Sequence, residues 1–400
     1  MSDQPAARVA YFPDSFHEVN GVAHTSRQFE DFARRRGLPF LCVRAGGRRD
    51  PLLTEGSLTT LEFPRAALSL PLEKDLRFDP AWFRHLRLVA RTVRAFRPDI
   101  IHVTGPSEVG LLGAHIAHRL RLPLAASWHT NLHEYAATRS HWFLDCLPAR
   151  QAAQGARCIQ ELTLRITTRF YRRAQVLFAP NPGLCRLLEE RTARRCHLMQ
   201  RGIDAQLFST ERRERDASDT SFVLGFVGRL STEKNVRLLA QVQRELECQG
   251  FTNFRFRIVG HGSEEAWLRE NLPRAEFTGV LRGEALARAY AGMDAFIFPS
   301  HTDTFGNVVL EALASGVPAI VTPDGGPRSL VREGQTGFVA ADADFSSAVA
   351  RLLRDSGLHE RMRRQARASA LSASWDAVFE GVYAAYEPAL LRAPAAMTAA

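Results

Sequence analysis

The chain lacks most of the features that would take it out of the ordinary globular class. None of its 400 residues belong to an unbroken apolar run of about 18, so no segment is expected to span a bilayer. The opening MSDQPAARVAYF has no apolar stretch of the kind a signal peptide needs, and a cytoplasmic location is the expectation. Cysteine is scarce. Cys42, Cys146, Cys158, Cys185, Cys196 and Cys248 show no C-x-x-C or zinc spacing, and they read as reduced core thiols rather than a disulfide framework. No G-x-G-x-x-G run opens the chain, which argues against a dehydrogenase. No recognition motif for nucleic acid accompanies the net charge of +9, no metal-ligating constellation appears, and no residue stands out as a nucleophile.

What is present is a 45% hydrophobic, 24% charged sequence, long enough for two domains with separate cores. The positive balance suggests an anionic partner: nucleic acid, anionic lipid or a phosphorylated substrate. Short apolar runs alternate with helical patterns throughout, which predicts an α/β protein with two Rossmann-like parallel-sheet domains facing each other across a cleft. The polar run TERRERDASDT, residues 210–220, marks the expected boundary. It gives an N-terminal domain over 1–209, a second over 221–374, and a closing helix over 375–400 that crosses back to the first.

In the first half, VAYF and the loop PDSFHEVNGV lead into a helix over 23–36, and Gly21 either lets a ligand approach the backbone or serves as a plain turn glycine. Residues 82–97 are amphipathic: Arg84, Arg87, Arg91, Arg94 and Arg97 fall on one side, Phe83, Leu86, Val89, Ala90, Val93 and Phe96 on another. That basic side is either solvated or a contact for anionic lipid. His129 ends the strand LAASW, at the edge where parallel sheets hold ligands. Residues 131–156 look irregular, and Tyr135, Trp142, Phe143 and Leu147 there form an acceptor surface or pack an unrecognised helix.

The most informative stretch is AFIFPSHTDTFGNVVLEALASGVP, residues 295–318. A buried strand runs into a turn, and a helix capped by Thr304 follows, with Asp303 before it and Glu311 inside it. The backbone N–H groups of Phe305, Gly306, Asn307 and Val308 should lack helical acceptors and suit a diphosphate. Glu311 would then accept hydrogen bonds from a ribose and Asp303 would face what lies beyond the phosphates. On spacing alone, a capping Asp303 and a solvated Glu311 fit as well. Upstream, Arg229 and Lys234 flank a turn after the strand FVLGFV, either as surface charge or as cations for a leaving diphosphate.

With its two acids seven residues apart, this stretch resembles the E-x7-E motif of retaining glycosyltransferases of the GT-B fold, family 4, with Asp303 in place of the first Glu. DTFGNVVLEALASGVP is most similar to the glycolipid-synthase branch, which includes sulfoquinovosyl-diacylglycerol synthases and mannosyl- or glucosyl-glycolipid synthases. Gly228, Arg229 and Lys234 match the family's G-R-x(4)-K pattern.

The resemblance implies a hexosyltransferase that moves a sugar, with retention, from a UDP- or GDP-linked donor to a lipid or glycan hydroxyl, without a cofactor or metal. It implies that His129, Arg229, Lys234 and Asp303 act at the reacting centre. Donor contacts would come from Gly21, Gly260, Gly262, Val280, Leu281, Thr304, Phe305, Gly306, Asn307, Val308 and Glu311. His261 and Ser329 stand where relatives carry acids. An enzyme of this branch would work in the cytoplasm, peripherally on the inner membrane face. Two rivals stay open: a nucleotide-sugar epimerase of the same shape, and a non-catalytic nucleotide-sugar-binding module.

Overall fold

The computed structural model describes residues 6–18, 21–46, 52–64, 70–71, 77–129, 149–215 and 218–392. The chain divides into two compact units, one of Met1–Gln200 with Trp375–Ala400, the other of Arg201–Ser374.

In the first unit the strands run β1 (Val9–Phe12), β2 (Phe40–Ala45), β3 (Leu52–Glu55) and β4 (Leu58–Phe63). The two-residue strands β5 (Leu70–Pro71) and β6 (Arg77–Phe78) then pair with each other, before β7 (Ile100–Val103), β8 (Leu124–Ser127), β9 (Val176–Ala179) and β10 (Cys196–Leu198). The main sheet has the order β10-β9-β8-β7-β1-β2-β4-β3, and every pairing is parallel except the β3–β4 hairpin. VAYF, IIHV, LAAS and VLFA are buried along their whole length, as strands covered on both faces must be.

The second unit holds β11 (Phe222–Val227), β12 (Phe254–Val259), β13 (Glu276–Gly279), β14 (Ala295–Phe298), β15 (Ala319–Val321) and β16 (Gly337–Val339), in the order β13-β12-β11-β14-β15-β16 and wholly parallel. Each sheet reverses its winding once, between β1 and β7 and between β11 and β14. The carboxyl ends of the strands beside such a reversal diverge and leave a crevice for ligands.

Several boundaries differ from expectation. The first unit ends at Gln200, ahead of the polar run 210–220, because the start of that run is anchored in the second. Arg213 and Arg215 each place a guanidinium nitrogen 2.7 Å from the buried Asp294. Charge there is structural, whereas composition alone reads the run as the boundary itself. The stretch 131–156 is not irregular throughout, because the helix Ala149–Tyr171 begins inside it. Tyr135, Trp142, Phe143 and Leu147 lie outside the described residues.

The basic segment is a 3-10 turn, Trp82–His85, followed by the helix Leu86–Phe96. Arg84 is exposed but tied to buried Asp79 at 2.8 Å, and Phe83 is 63% exposed rather than packed. Cys158 and Cys248 are exposed, so not all the thiols are core residues.

The helix Trp375–Arg392 packs in the first unit. The Phe379 ring stacks on Phe29 at 4.5 Å and Trp375 stacks on Phe379, while Arg35 and Arg36 pair with Asp376.

Candidate active site

In the second unit the carboxyl ends of β11 and β14 carry the charged groups. Residues after β11 form a 3-10 turn, Thr232–Lys234, closed by Asn235 in the left-handed region at φ 51°. The regular helix that follows begins only at Leu238. The turn aims Lys234 across the reversal at the loop after β14, so that Nζ lies 2.7 Å from both carboxylate oxygens of Asp303. Both side chains are about a fifth exposed, so the pair is screened only in part.

A second layer fixes that geometry. Asn235 donates to Asp342 at 2.9 Å, and His301 bridges Asp342 at 3.1 Å and Asp324 at 2.9 Å. Burial opposes protonation of His301, but the two carboxylates outweigh it and hold its pKa above the ordinary value. The acidic run 342–344 reads from sequence as polar surface in a late loop, but its first residue ties the Lys234 turn to the Asp303 loop.

Thr304 does not cap the helix. Asn307–Ala314 is preceded by Gly306 in the left-handed region at φ 90°, a conformation glycine enters without steric cost. The first bond back to the turn is Val309 N–H to the Gly306 carbonyl at 2.9 Å. Among the described residues, the amides of Phe305, Gly306, Asn307 and Val308 have no acceptor. Gly325 and Gly326 hold this loop from behind. The Gly326 N–H donates to the Asp303 carbonyl at 2.7 Å, and a Cβ on Gly326 would lie 2.0 Å from the Thr304 oxygen.

Glu311 follows Asn307 by four residues and so shares its helix face. Its carboxyl group is desolvated, which pushes its pKa up to about 7, and the Tyr290 hydroxyl, donating at 2.8 Å, only partly offsets this. Near neutrality Glu311 therefore sits between its acid and its carboxylate.

In the first unit, the described residues at the corresponding edge include two carboxyls, Asp14 and the buried Glu108. Asp14, after β1, accepts from the Ser107 hydroxyl while its N–H donates to Thr104 at 2.7 Å. Ser107 in turn caps the helix Glu108–Leu120 by accepting from Gly110. Burial raises the Asp14 pKa to about 7. His129, after β8, is 5% exposed, with Nε2 at 2.7 Å from Ser127 Oγ. Gly21 begins the helix Gly21–Arg35 and accepts from Thr25, an ordinary helix-start contact.

The structure does not draw every expected residue together. The Arg229 guanidinium lies 3.6 Å from Glu233 and its side chain is 65% exposed, so it stands beside the Lys234–Asp303 pair without joining it. Gly260 and Gly262 have a packing reason: a Cβ would meet the Gly228 oxygen at 1.9 Å or the Leu230 oxygen at 2.1 Å. Val280 is exposed and Leu281 packs on the core. His261 pairs with Glu265 at 2.7 Å, and Ser329 Oγ donates to the Gly326 carbonyl at 2.6 Å. Tyr290, His301 and Asp324 escaped the sequence reading, because a lone tyrosine, histidine or aspartate in an ordinary helix or loop carries no local signal.

A lysine, an aspartate and a row of open amides at the winding reversal of a parallel sheet make an edge suited to the phosphates of a ligand. The model for Glycosyltransferase Family 4 matches residues 19–207, and that for Glycosyl transferases group 1 matches 208–369. A GDP-mannose-dependent alpha-mannosyltransferase of Mycobacterium tuberculosis is 33% identical over 95% of this chain and 96% of its own. Sulfoquinovosyl transferase SQD2 of Arabidopsis thaliana is 27% identical over 90% of this chain and 68% of its own. Among solved structures, sucrose-phosphate synthase of Thermosynechococcus elongatus superposes with a TM-score of 0.70 at 17% identity, covering 96% of this chain and 99% of that one. The chain belongs to the family 4 glycosyltransferases, of GT-B fold, and uses a nucleotide-sugar donor. The epimerase and binding-module readings are set aside.

Proposed function

We propose that this enzyme transfers a mannosyl group from GDP-mannose, with retention of anomeric configuration, to a hydroxyl of a lipid acceptor. The observation that carries the reading is the row of four open amides, Phe305 to Val308, beside Lys234 and Asp303. Guanine and mannose are supported by the name of the Mycobacterium tuberculosis relative, and a lipid acceptor by the resemblance of DTFGNVVLEALASGVP to the glycolipid-synthase branch.

In this reading the diphosphate rests on the amides and on Lys234, and Arg229 leaves Glu233 to join it. Charge builds on the diphosphate as the glycosidic bond breaks, and fixed donors aimed there stabilise the transition state more than the ground state. Glu311 receives the ribose hydroxyls on the oxygen that Tyr290 leaves open. Asp303 holds the sugar, and His129, in the first unit, is assigned to the transferred sugar as well. The departing phosphate oxygen takes the proton of the acceptor hydroxyl while the new bond forms on the same face of the ring. Gly21, Gly260, Gly262, Val280 and Leu281 are kept as backbone neighbours of the donor.

Among the described residues no helix is long and apolar enough to cross a membrane. We place the enzyme in the cytoplasm, on an anionic membrane surface. Arg87, Arg91 and Arg94 are exposed along one helix, next to exposed Phe83 and Leu88. Trp82 of the same segment lines a cavity of about 1220 Å3 with Arg121, Arg173, Arg194 and Arg195. Basic side chains around exposed apolar ones suit anionic lipid.

Thermal shifts with GDP, UDP and ADP test the donor, since a ligand selective for the folded state raises its stability. GDP is expected to stabilise most, and stabilisation by UDP alone overturns the donor assignment. Transfer from GDP-mannose to extracted lipids, with the product anomer read by NMR, tests acceptor and stereochemistry. An inverted linkage overturns retention.

A further inference from the structure

A chain of buried hydrogen bonds runs through the first unit from the closing helix to the end of β8. The Tyr386 hydroxyl lies 2.6 Å from His102 Nδ1, His102 Nε2 lies 3.1 Å from Ser127 Oγ, and Ser127 Oγ lies 2.7 Å from His129 Nε2. Tyr386 and His102 are fully buried, Ser127 is 1% exposed and His129 5%. Phe178 stacks on the His102 ring and Tyr11 meets it edge-on. Ser127 is held independently, because the Tyr171 hydroxyl donates to its carbonyl at 3.2 Å.

Counting protons gives this chain a direction. A neutral imidazole has one donor and one acceptor nitrogen, and a hydroxyl has one proton to give. The apolar cage keeps His102 neutral, since burial pushes its pKa down to about 3. Among the described residues, the only acceptor recorded for the buried Tyr386 proton is His102 Nδ1. That nitrogen must then be bare, and the His102 proton sits on Nε2 and goes to Ser127. Ser127 has its own proton left, and the acceptor in line is His129 Nε2. The reverse order would leave the Tyr386 proton buried and unpaired, which a fold rarely tolerates.

We propose that Tyr386 is a positioning residue that sets the tautomer of His129 through His102 and Ser127. His129 then carries its proton on Nδ1. The helix Trp375–Arg392 thereby reaches the functional edge of the sheet by hydrogen bonds as well as by packing. Any effect on transfer rests on the role proposed above for His129, which would act there as a hydrogen-bond donor through Nδ1.

The test is a two-bond proton–nitrogen correlation spectrum of the full-length protein labelled with 15N-histidine, in which His129 is assigned by its loss in His129→Asn. The expected wild-type pattern is a protonated Nδ1 and a bare Nε2. Tyr386→Phe keeps the ring and removes the directing proton. In that variant the Nε2-protonated form of His129 should appear, and kcat for transfer should fall about tenfold, the scale of one lost hydrogen bond, with little change in donor KM or circular dichroism. A wild-type His129 protonated on Nε2 overturns the proposal, as does a Tyr386→Phe protein whose His129 pattern is unchanged. If the tautomer switches and kcat does not move, the relay stands and the catalytic role of His129 falls.

Discussion

The two sheets of this enzyme each reverse their winding once, yet the chemistry placed at the two reversals is opposite. Between β11 and β14 the loops bring an ion pair, Lys234 with Asp303, and leave four amides without acceptors. Between β1 and β7, and beside them at β8, hydroxyls pair with a carboxyl and with imidazoles: Ser107 with Asp14, and Tyr386 to His129 through His102 and Ser127. The topology offers a crevice in both places, and the side chains decide its use. Open donors and a partly exposed lysine suit an anion, whereas a closed network orients one group for a neutral ligand. That division suits a charged donor on the second unit and an uncharged hydroxyl acceptor on the first.

The largest expected effect comes from removing the cation. Lys234→Ala should lower kcat/KM by about 100-fold or more, the usual loss when a fixed donor to a developing negative charge is deleted. It also leaves Asp303 unpaired beside the diphosphate. A drop below about threefold would erase the contrast between the two edges.

Gly326→Ala is expected to act through backbone alone. Its Cβ would sit 2.0 Å from the Thr304 oxygen, so the Asp303 loop must move. Misplacing the loop by a fraction of an ångström should cost roughly tenfold to a hundredfold in kcat, with Tm only a few degrees lower. Unchanged kinetics would show that this loop does not position the donor.

Among the described residues each unit holds one carboxyl raised to about 7, Glu311 in the second and Asp14 in the first. A folded-state pKa above the unfolded value favours folding most when the group is protonated, and that advantage is lost as pH rises through the folded value. For Glu311 the rise from 4.5 to about 7 corresponds to up to about 3 kcal/mol. Glu311→Gln should therefore unfold like the parent near pH 4.5 and be more stable at pH 8, while its affinity for GDP-mannose falls. Asp14→Asn should repeat the stability pattern without the loss of donor affinity. Denaturant titrations across that range, with donor binding measured at pH 7, check both. A fall in donor affinity in both variants would break the comparison.

The smallest effect is on the surface. Replacing Arg87, Arg91 and Arg94 together by Glu should abolish sedimentation with phosphatidylglycerol vesicles and change Tm by no more than about a degree or two, because exposed charges contribute little to folding. Sedimentation that survives the change places membrane contact elsewhere.

Much of this was open to a reader of the sequence. Short apolar runs such as AFIF and VLFA, buried on both faces, carry their strand character in composition. The run from Asp303 to Glu311 announces a strand, a loop and a helix start, and with it a row of unpaired amides. These are local properties of a few consecutive residues, set by sterics and hydrogen-bond valence.

What could not be read locally was decided by contacts between distant residues. Gly306 took the cap from Thr304 because the loop packs against Gly325, Gly326 and Pro327. Lys234 met Asp303 across 69 positions of chain, Tyr290 found Glu311, and Asp342 became a brace for the Lys234 turn. The direction of the hydrogen bonds from Tyr386 to His129 spans most of the chain and follows from burial, which leaves each proton a single partner. Local sequence sets which groups are available; only the folded chain sets which of them lose water and must find one another.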